Sequence, residues 1–257
     1  MIGLFEKWRR RRAVAAIAVA PDQWRHVEAR LPCLDFLVEN DRHRLREMAR
    51  EFIAIKEWSG AGELALTPDI QLSIALQACL PVLNLGLDWY RGWVGVVVYA
   101  GDFIIPRREM DEAGVVHEYD DDVLGEAWEG GPVLVSWFDD PADAGGASMV
   151  IHEFAHKLDM SNGEVDGLPA LHADMSRRDW IAAFEPAYED FCRRVDAGEH
   201  TALDPYAAEH PGEFFAVMSE AFFETPALLK GEYPAVYEQL CRFYRQDPAS
   251  RIVFSLS

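Results

Sequence analysis

Basic residues are scarce in this 257-residue chain. It has 24 lysine and arginine residues against 44 aspartate and glutamate residues, which gives a formal net charge of −20. Because a surplus of carboxylates repels a phosphate backbone, nucleic acid is not expected as a ligand. The charge is most simply that of a well-solvated surface, and the alternative is a field that attracts cationic peptide ends.

Long apolar runs and cysteine pairs are also missing. No apolar run reaches the ~18 residues that span a bilayer, so no membrane span is expected. The four cysteines include no Cys-x-x-Cys pair, and Cys79 and Cys241 stand among apolar residues like ordinary core side chains. Neither a disulfide framework nor a cysteine-ligated zinc is indicated.

The N-terminus departs from the acidic trend. Four arginines, residues 9–12, precede an apolar stretch that ends in Ala18-Val19-Ala20, an order that resembles an export signal. The stretch is at the short limit for such a signal, and Pro21 would follow the cut, where proline fits poorly. We therefore expect a cytoplasmic protein, with export as the alternative. A poorly ordered segment over residues 1–20 and a single catalytic domain over residues 21–257 are predicted.

The spacing of hydrophobic residues changes twice along the chain. Helical spacing over residues 22–85, with Thr67 as a cap and Pro68 in the first turn, predicts two or three N-terminal helices. Short β-type runs then cover residues 94–99, 103–105, 115–119 and 133–137. Helical spacing returns after residue 147, over residues 174–195, 211–223 and 234–245. This order predicts an α+β domain with a small mixed sheet rather than a parallel α/β sheet. The acidic stretch 118–129 is expected to be a solvated loop or hairpin.

The strongest chemical signal is the segment His152-Glu153-Phe154-Ala155-His156. Residues four apart on a helix share a face, so the imidazoles of His152 and His156 can reach one ion. Glu153 is offset by one position and lies beside the ion. In zinc peptidases two imidazoles and a third ligand hold the metal, and a nearby carboxylate removes a proton from water. The motif predicts one zinc ion per chain, with Glu153 as the general base.

A third metal ligand has to come from elsewhere in the chain. A metzincin would have glycine and histidine where Asp159 and Asn162 stand, so that class is excluded. Two glutamates lie seven residues apart in the apolar stretch 211–223, where a carboxylate is costly to bury without a partner or a metal. By spacing alone the competitors are Glu213, Glu220 and Asp159, with His172 and His210 behind them.

The carboxylates that orient the imidazoles are also expected to differ from a known pattern. A thermolysin-like enzyme would have an aspartate four residues after the ligand glutamate, where Val217 stands here. Asp159, one turn beyond His156, and Glu220 are the natural carboxylates to accept an imidazole N–H.

These motifs resemble the Mlc titration factor A family of zinc peptidases and, more distantly, the zinc domain of anthrax lethal factor. The resemblance covers most of the chain and is carried by residues 80–83 with 85–87, 131–134, 151–159, 204–208, 213–223, and 243–244 with 246–248. It implies a zincin-like fold with Glu213 as the third zinc ligand. It also implies that Tyr206, seven residues before Glu213, donates its hydroxyl to the oxyanion. Family members are similar to cytoplasmic peptidases with an aminopeptidase preference, and some bind the glucose-responsive repressor Mlc.

Three functions compete on these observations. The first is a zinc-dependent metallopeptidase, of the aminopeptidase type, that acts on a peptide substrate held by strand addition along residues 133–137. The second is a regulatory binding protein that sequesters a transcriptional repressor of the Mlc type, with catalysis secondary. The third is a metal hydrolase that does not cleave peptides. Glu153 favours an enzyme, because a structural zinc site needs no base and normally has four protein ligands.

Overall fold

The computed structural model describes residues 12–101, 104–110, 116–122, 131–138 and 149–251. In the N-terminal part, the described portion of helix α1 is residues 12–16, and it is followed by α2 (Pro21–Glu28), α3 (Glu39–Ile55) and α4 (Pro68–Cys79). In the C-terminal part the helices are α5 (Met149–Asp159), α6 (Arg177–Asp196), α7 (Pro211–Glu224), α8 (Pro226–Glu232), α9 (Pro234–Tyr244) and α10 (Pro248–Arg251). The N-terminal and C-terminal helices expected from the hydrophobic spacing are therefore confirmed.

Proline explains where many of these helices begin. Its fixed φ suits the first helical turn, and its missing N–H is one that would have no partner inside the helix. Proline occupies the start of α2, α4, α7, α8 and α9. The predicted cap of α4 is confirmed, because the Thr67 hydroxyl oxygen accepts the backbone N–H of Ile70 at 3.2 Å.

An arginine of α3 holds the segment before α2. The Arg50 guanidinium, on α3, donates to the carbonyl oxygens of Val14 and Ile17 at 3.1 and 3.0 Å. Residues 12–20 are thereby tied to the N-terminal helices. The remainder of the predicted N-terminal segment, residues 1–11, lies outside the described residues. No helix in the described part of the chain is long and apolar enough to cross a membrane.

The strands differ from the expected mixed sheet. Strands β1 (Glu57–Gly60), β2 (Gly95–Ala100) and β5 (Val133–Trp137) form a three-stranded sheet in the order β1-β2-β5, and both pairs are parallel. Strands β3 (Ile104–Met110) and β4 (Val116–Asp122) form a separate antiparallel pair. The parallel pairing of β1 with β2 arises because the connection between them contains α4, and a helical crossover returns the chain in the same direction. The start of the acidic stretch lies in β4, in agreement with a hairpin, and residues 123–130 lie outside the described ranges.

An aromatic cluster fixes the helix that carries the histidine motif. The ring of Phe154, on α5, lies edge-on to Phe52 and Tyr90 at centroid distances of 5.6 and 5.2 Å, and Trp93 completes the cluster at 5.8 Å. Phe154 is fully buried. On its other sides α5 packs against β5 and against α7. The motif helix is therefore held from three directions, which leaves its polar side chains little freedom.

Candidate metal centre

Three side chains from two packed helices converge on one point. His152 and His156 project from α5, and Glu213 projects from the first turn of α7. The Nε2 atom of His152 lies 3.0 Å from Nε2 of His156 and 3.0 Å from Oε2 of Glu213. The Nε2 atom of His156 lies 3.1 Å from the same carboxylate oxygen. The structure thus brings together the two motif histidines and one of the competing carboxylates.

The electrostatics of these side chains favour a cation between them. Burial by itself lowers the pKa of His152, but the carboxylates of Glu213 and Glu220 outweigh it and leave that pKa well above its ordinary value. Burial raises the pKa of Glu213, but its hydrogen bonds with His152 and His156 dominate and leave that pKa well below its ordinary value. Both shifts mean that the carboxylate of Glu213 is negative and that positive charge at the imidazole of His152 is favoured.

The donor set fits a metal ion. His152, His156 and Glu213 each offer one ligand atom in a common group, and the two imidazoles are buried. Tetrahedral donors at about 2.0–2.1 Å from a zinc ion lie roughly 3.3 Å apart, close to the spacing of these three atoms. Two imidazole nitrogens and a carboxylate oxygen are also typical ligands of a catalytic zinc, which keeps a fourth position for water.

Glu153 is the most deeply buried polar group of the motif. Its side chain is 1% exposed, and its Oε2 atom has no hydrogen-bond partner among the described residues. Burial raises the pKa of Glu153 to about 7, against the lowering effect of the neighbouring imidazoles. A buried carboxylate oxygen without a partner is rare in proteins and needs an explanation. Here Oε2 can accept a proton from a ligand.

The two carboxylates expected to orient the imidazoles have different partners. Glu220, two turns after Glu213 on α7, places Oε1 2.5 Å from Nδ1 of His152. A proton on that Nδ1 leaves the lone pair of Nε2 directed at the metal position. Asp159 is fully buried, and its Oδ2 accepts the backbone N–H of Gly167 at 2.8 Å. Neither Oδ1 of Asp159 nor Nδ1 of His156 has a hydrogen-bond partner among the described residues.

The two histidines that competed as third ligand lie elsewhere. His172 contacts the carbonyl oxygen of Phe243 through Nε2 at 2.8 Å, and its ring is edge-on to Trp89. His210 caps α7, where its Nδ1 accepts the backbone N–H of Gly212 at 3.1 Å. That cap begins the helix three residues before Glu213, so His210 helps to position the carboxylate without joining the group.

Tyr206 lies beside the cluster on a short 3-10 turn, Pro205–Ala208. Its ring centroid is 6.2 Å from that of His152, and 45% of its surface is exposed. The exposure is unusual for a large aromatic side chain, since most phenylalanines among the described residues are buried. Tyr206 is therefore an exposed aromatic side chain beside one of the motif histidines.

A glycine contact near the site was missed by sequence reasoning. Gly167 has a φ of +75°, and a β-carbon there would lie 2.5 Å from the carbonyl oxygen of Pro211. The loop that Asp159 holds is therefore packed directly against the first turn of α7. The dipeptide Asp166-Gly167 marks a turn, but nothing local shows that the turn contacts a helix more than forty residues later.

The chain is similar to known proteins over most of its length. The family model described as glucose-regulated metallo-peptidase M90 matches residues 5–245. Mlc titration factor A of Yersinia pestis (strain Pestoides F) is 39% identical over 238 residues, which cover 90% of this chain and 86% of the relative. Mlc titration factor A of Yersinia pseudotuberculosis serotype O:1b (strain IP 31758) matches with the same identity and the same coverage. The chain belongs to the glucose-regulated metallopeptidase family M90.

Proposed function

We propose that this chain is a zinc-dependent peptidase with His152, His156 and Glu213 as the metal ligands and Glu153 as the general base. One observation carries the proposal: Nε2 of each histidine and Oε2 of Glu213 lie 3.0 to 3.1 Å from one another. Zinc is the proposed ion because two imidazoles and one carboxylate, with a position left for water, form the usual ligand set of catalytic zinc in peptidases.

The side chains around the metal position each have a proposed task. Zinc bound there would polarise the scissile carbonyl and acidify a water molecule in the open position. Glu153 would remove a proton from that water through Oε2, which has no hydrogen-bond partner among the described residues, and would give it to the leaving amine. Tyr206 donates its hydroxyl to the oxygen on which negative charge develops. Glu220 holds the imidazole of His152 in the tautomer that keeps Nε2 free of a proton.

The proposed substrate is an extended peptide that lies along β5. Among the described strands, β5 is at the end of the order β1-β2-β5, and the motif helix packs against it. Main-chain pairing with an edge strand would lay the scissile bond across the metal position. Substrates with single backbone N-methyl groups test this pairing, because methylation at the paired positions should lower kcat/KM while methylation at alternate positions should not. Equal effects at all positions would contradict the strand model.

An aminopeptidase preference is proposed from the family resemblance. Chromogenic substrates with a free amino group should be cleaved, and the same substrates with an acetylated amine should be cleaved far more slowly. Efficient cleavage of the acetylated forms would instead indicate an endopeptidase.

The experiment for the base assignment replaces Glu153 by glutamine. The variant should bind one zinc per chain and lose nearly all hydrolysis, because the amide cannot accept the proton. Glu164→Gln, at an exposed glutamate eight residues after His156, is the matched control and should keep activity. A chelator should inactivate the wild type, and added zinc should restore it. Near-normal turnover by the Glu153→Gln variant would refute the base assignment.

A second function is proposed from the relatives that share 39% identity. They carry the name Mlc titration factor A, and we infer that this chain also binds a repressor of the Mlc type in the cytoplasm. Titration calorimetry with a purified repressor of the Mlc type tests the inference. Binding by the Glu153→Gln variant as tight as by the wild type would show that partner capture does not depend on hydrolysis. No measurable binding by either protein would overturn this second function.

A further inference from the structure

Tyr206 is carried by a turn that offers little support of its own. The 3-10 turn Pro205–Ala208 is one turn long, and only Ala207 within it is buried. Such short turns have poorer hydrogen-bond geometry than an α-helix. The position of an exposed side chain on this turn therefore depends on the contacts that fix the backbone at both ends.

Both ends of the turn are held by side chains. At the beginning, Oδ1 of Asp204 accepts the backbone N–H of Tyr206 at 2.9 Å. At the end, the hydroxyl of Tyr188 donates to the carbonyl oxygen of Ala208 at 3.0 Å, and the thiol of Cys192 approaches the same oxygen at 3.6 Å. The first contact is local in sequence, whereas the second ties the turn to the middle of α6.

Tyr188 is itself fixed against the helix that carries Glu213. Its ring lies edge-on to Phe214 at a centroid distance of 5.4 Å, and Phe214 is 1% exposed. Phe214 directly follows Glu213 in the first turn of α7. Burial and the neighbouring Cys192 raise the pKa of Tyr188 to about 12, so its hydroxyl keeps the proton that it donates at neutral pH. Through Tyr188, the turn and the metal-site glutamate share one rigid support.

We propose that Tyr188 is a positioning residue for Tyr206, which it holds in place by donating its hydroxyl to the carbonyl of Ala208. The proposal rests on the proposed function, in which the hydroxyl of Tyr206 stabilises the oxyanion. A donor of this kind lowers the barrier only if it is already in position when charge develops. A displacement of about 1 Å can cost up to about 100-fold in rate.

Tyr188→Phe removes the hydroxyl and keeps the ring on Phe214. We expect kcat to fall by about 5- to 50-fold, with KM and zinc content close to those of the wild type. Tyr233→Phe is the matched control. Tyr233 also packs its ring on Phe214, at 6.2 Å, and donates its hydroxyl to α6 at Asp190. Within the part of the chain that the structure describes, it has no hydrogen bond to the turn. This control should retain wild-type kcat.

A double-mutant cycle with Tyr206→Phe separates positioning from a general structural role. Once the hydroxyl of Tyr206 is gone, adding Tyr188→Phe should lower kcat no further. The same fold-loss in both backgrounds would overturn the proposal, and so would an equal loss in the Tyr233→Phe control. Unchanged kcat in Tyr188→Phe, with a clear loss in Tyr206→Phe, would overturn the positioning role alone. Unchanged kcat in Tyr206→Phe would overturn the oxyanion role and the positioning role together.

Discussion

The carboxylate of Glu220 contacts the imidazole of His152 on the side opposite the metal position. Oε1 lies 2.5 Å from Nδ1, while Nε2 of the same ring faces Glu213. One glutamate of α7 thus faces the metal position directly, and another, seven residues later, acts on the same imidazole from behind. Because α7 carries both, a shift of this helix would disturb the ligand and its support together.

Glu220→Ala should weaken zinc binding without removing a ligand. Loss of a carboxylate behind a metal-binding histidine typically costs about 10- to 100-fold in metal affinity or activity. Glu220→Gln is the matched variant, since its amide oxygen can still accept the N–H of His152, and it should lose less. Competition with a chromogenic chelator measures both affinities. Wild-type affinity in Glu220→Ala would show that the contact does not support the metal.

Glu213→Ala should abolish stoichiometric zinc. The variant keeps two imidazoles but loses the one charged ligand, whose pKa is held well below its ordinary value by His152 and His156. Zinc content after dialysis, measured by mass spectrometry, gives the result. Glu209→Ala, at an exposed glutamate just before α7, serves as the control and should retain one zinc. Full occupancy in Glu213→Ala would move the third ligand to Glu220 or Asp159.

Gly167→Ala should destabilise the fold and the metal site. The residue has positive φ, and a new β-carbon would lie 2.5 Å from the carbonyl oxygen of Pro211. Backbone strain and overpacking together predict a loss of about 2–5 kcal/mol in the free energy of unfolding. Gly163→Ala isolates the strain, because its φ is +98° and nothing lies within 4 Å.

Chemical denaturation of the two glycine variants compares these costs. Gly163→Ala should lose about 1–2 kcal/mol and keep wild-type zinc affinity. Gly167→Ala should lose more, and its zinc affinity should fall because the first turn of α7 is displaced. Equal losses in the free energy of unfolding of both variants would mean that the contact between residue 167 and Pro211 does not affect stability.

Lys56 should make stability depend on pH. Its ammonium group is buried and donates to the carbonyl oxygens of Tyr90 and Trp93 at 2.8 and 2.7 Å. Burial, together with the charge of Lys157, lowers the pKa of Lys56 from 10.5 to about 7. Between those values the unfolded chain holds a proton that the folded chain has lost, so the free energy of unfolding rises with pH.

Lys56→Met removes this dependence. From pH 7 to pH 9, the free energy of unfolding of the wild type should rise relative to that of the variant by up to about 1.4 kcal/mol per pH unit. Lys230→Met, at an exposed lysine, should show a constant difference over the same range. Urea denaturation at several pH values provides the data. A difference that is flat for Lys56→Met would mean that Lys56 remains charged in the folded protein.

Local patterns in the sequence predicted the helices well, because helical spacing and capping are local properties. Leu45, Ala49 and Phe52 form the buried face of α3, and Thr67 caps α4. Strand β1 was missed because Glu57-Trp58-Ser59-Gly60 has no alternation of apolar residues and three of its four residues are exposed. Without β1, the helical crossover that makes β1 and β2 parallel could not be inferred.

The parts of the site that lie close together in the sequence could be predicted, and the parts that lie far apart could not. His152 and His156 are one turn apart, so their convergence follows from helix geometry. Glu213 lies 57 residues after His156, and spacing alone left it in competition with Glu220. Only the packing of α7 on α5 distinguishes them, since it places one glutamate at the metal position and the other behind an imidazole. The link from Tyr188 to Ala208 depends in the same way on tertiary contacts.

X-ray absorption at the zinc edge of the purified protein tests the central claim most directly. The account predicts one zinc per chain, with nitrogen and oxygen neighbours at about 2.0–2.1 Å, two of them imidazoles, and a Glu213→Ala spectrum that loses this shell. A sulfur neighbour at about 2.3 Å, or an unchanged spectrum in Glu213→Ala, would contradict a centre built from His152, His156 and Glu213.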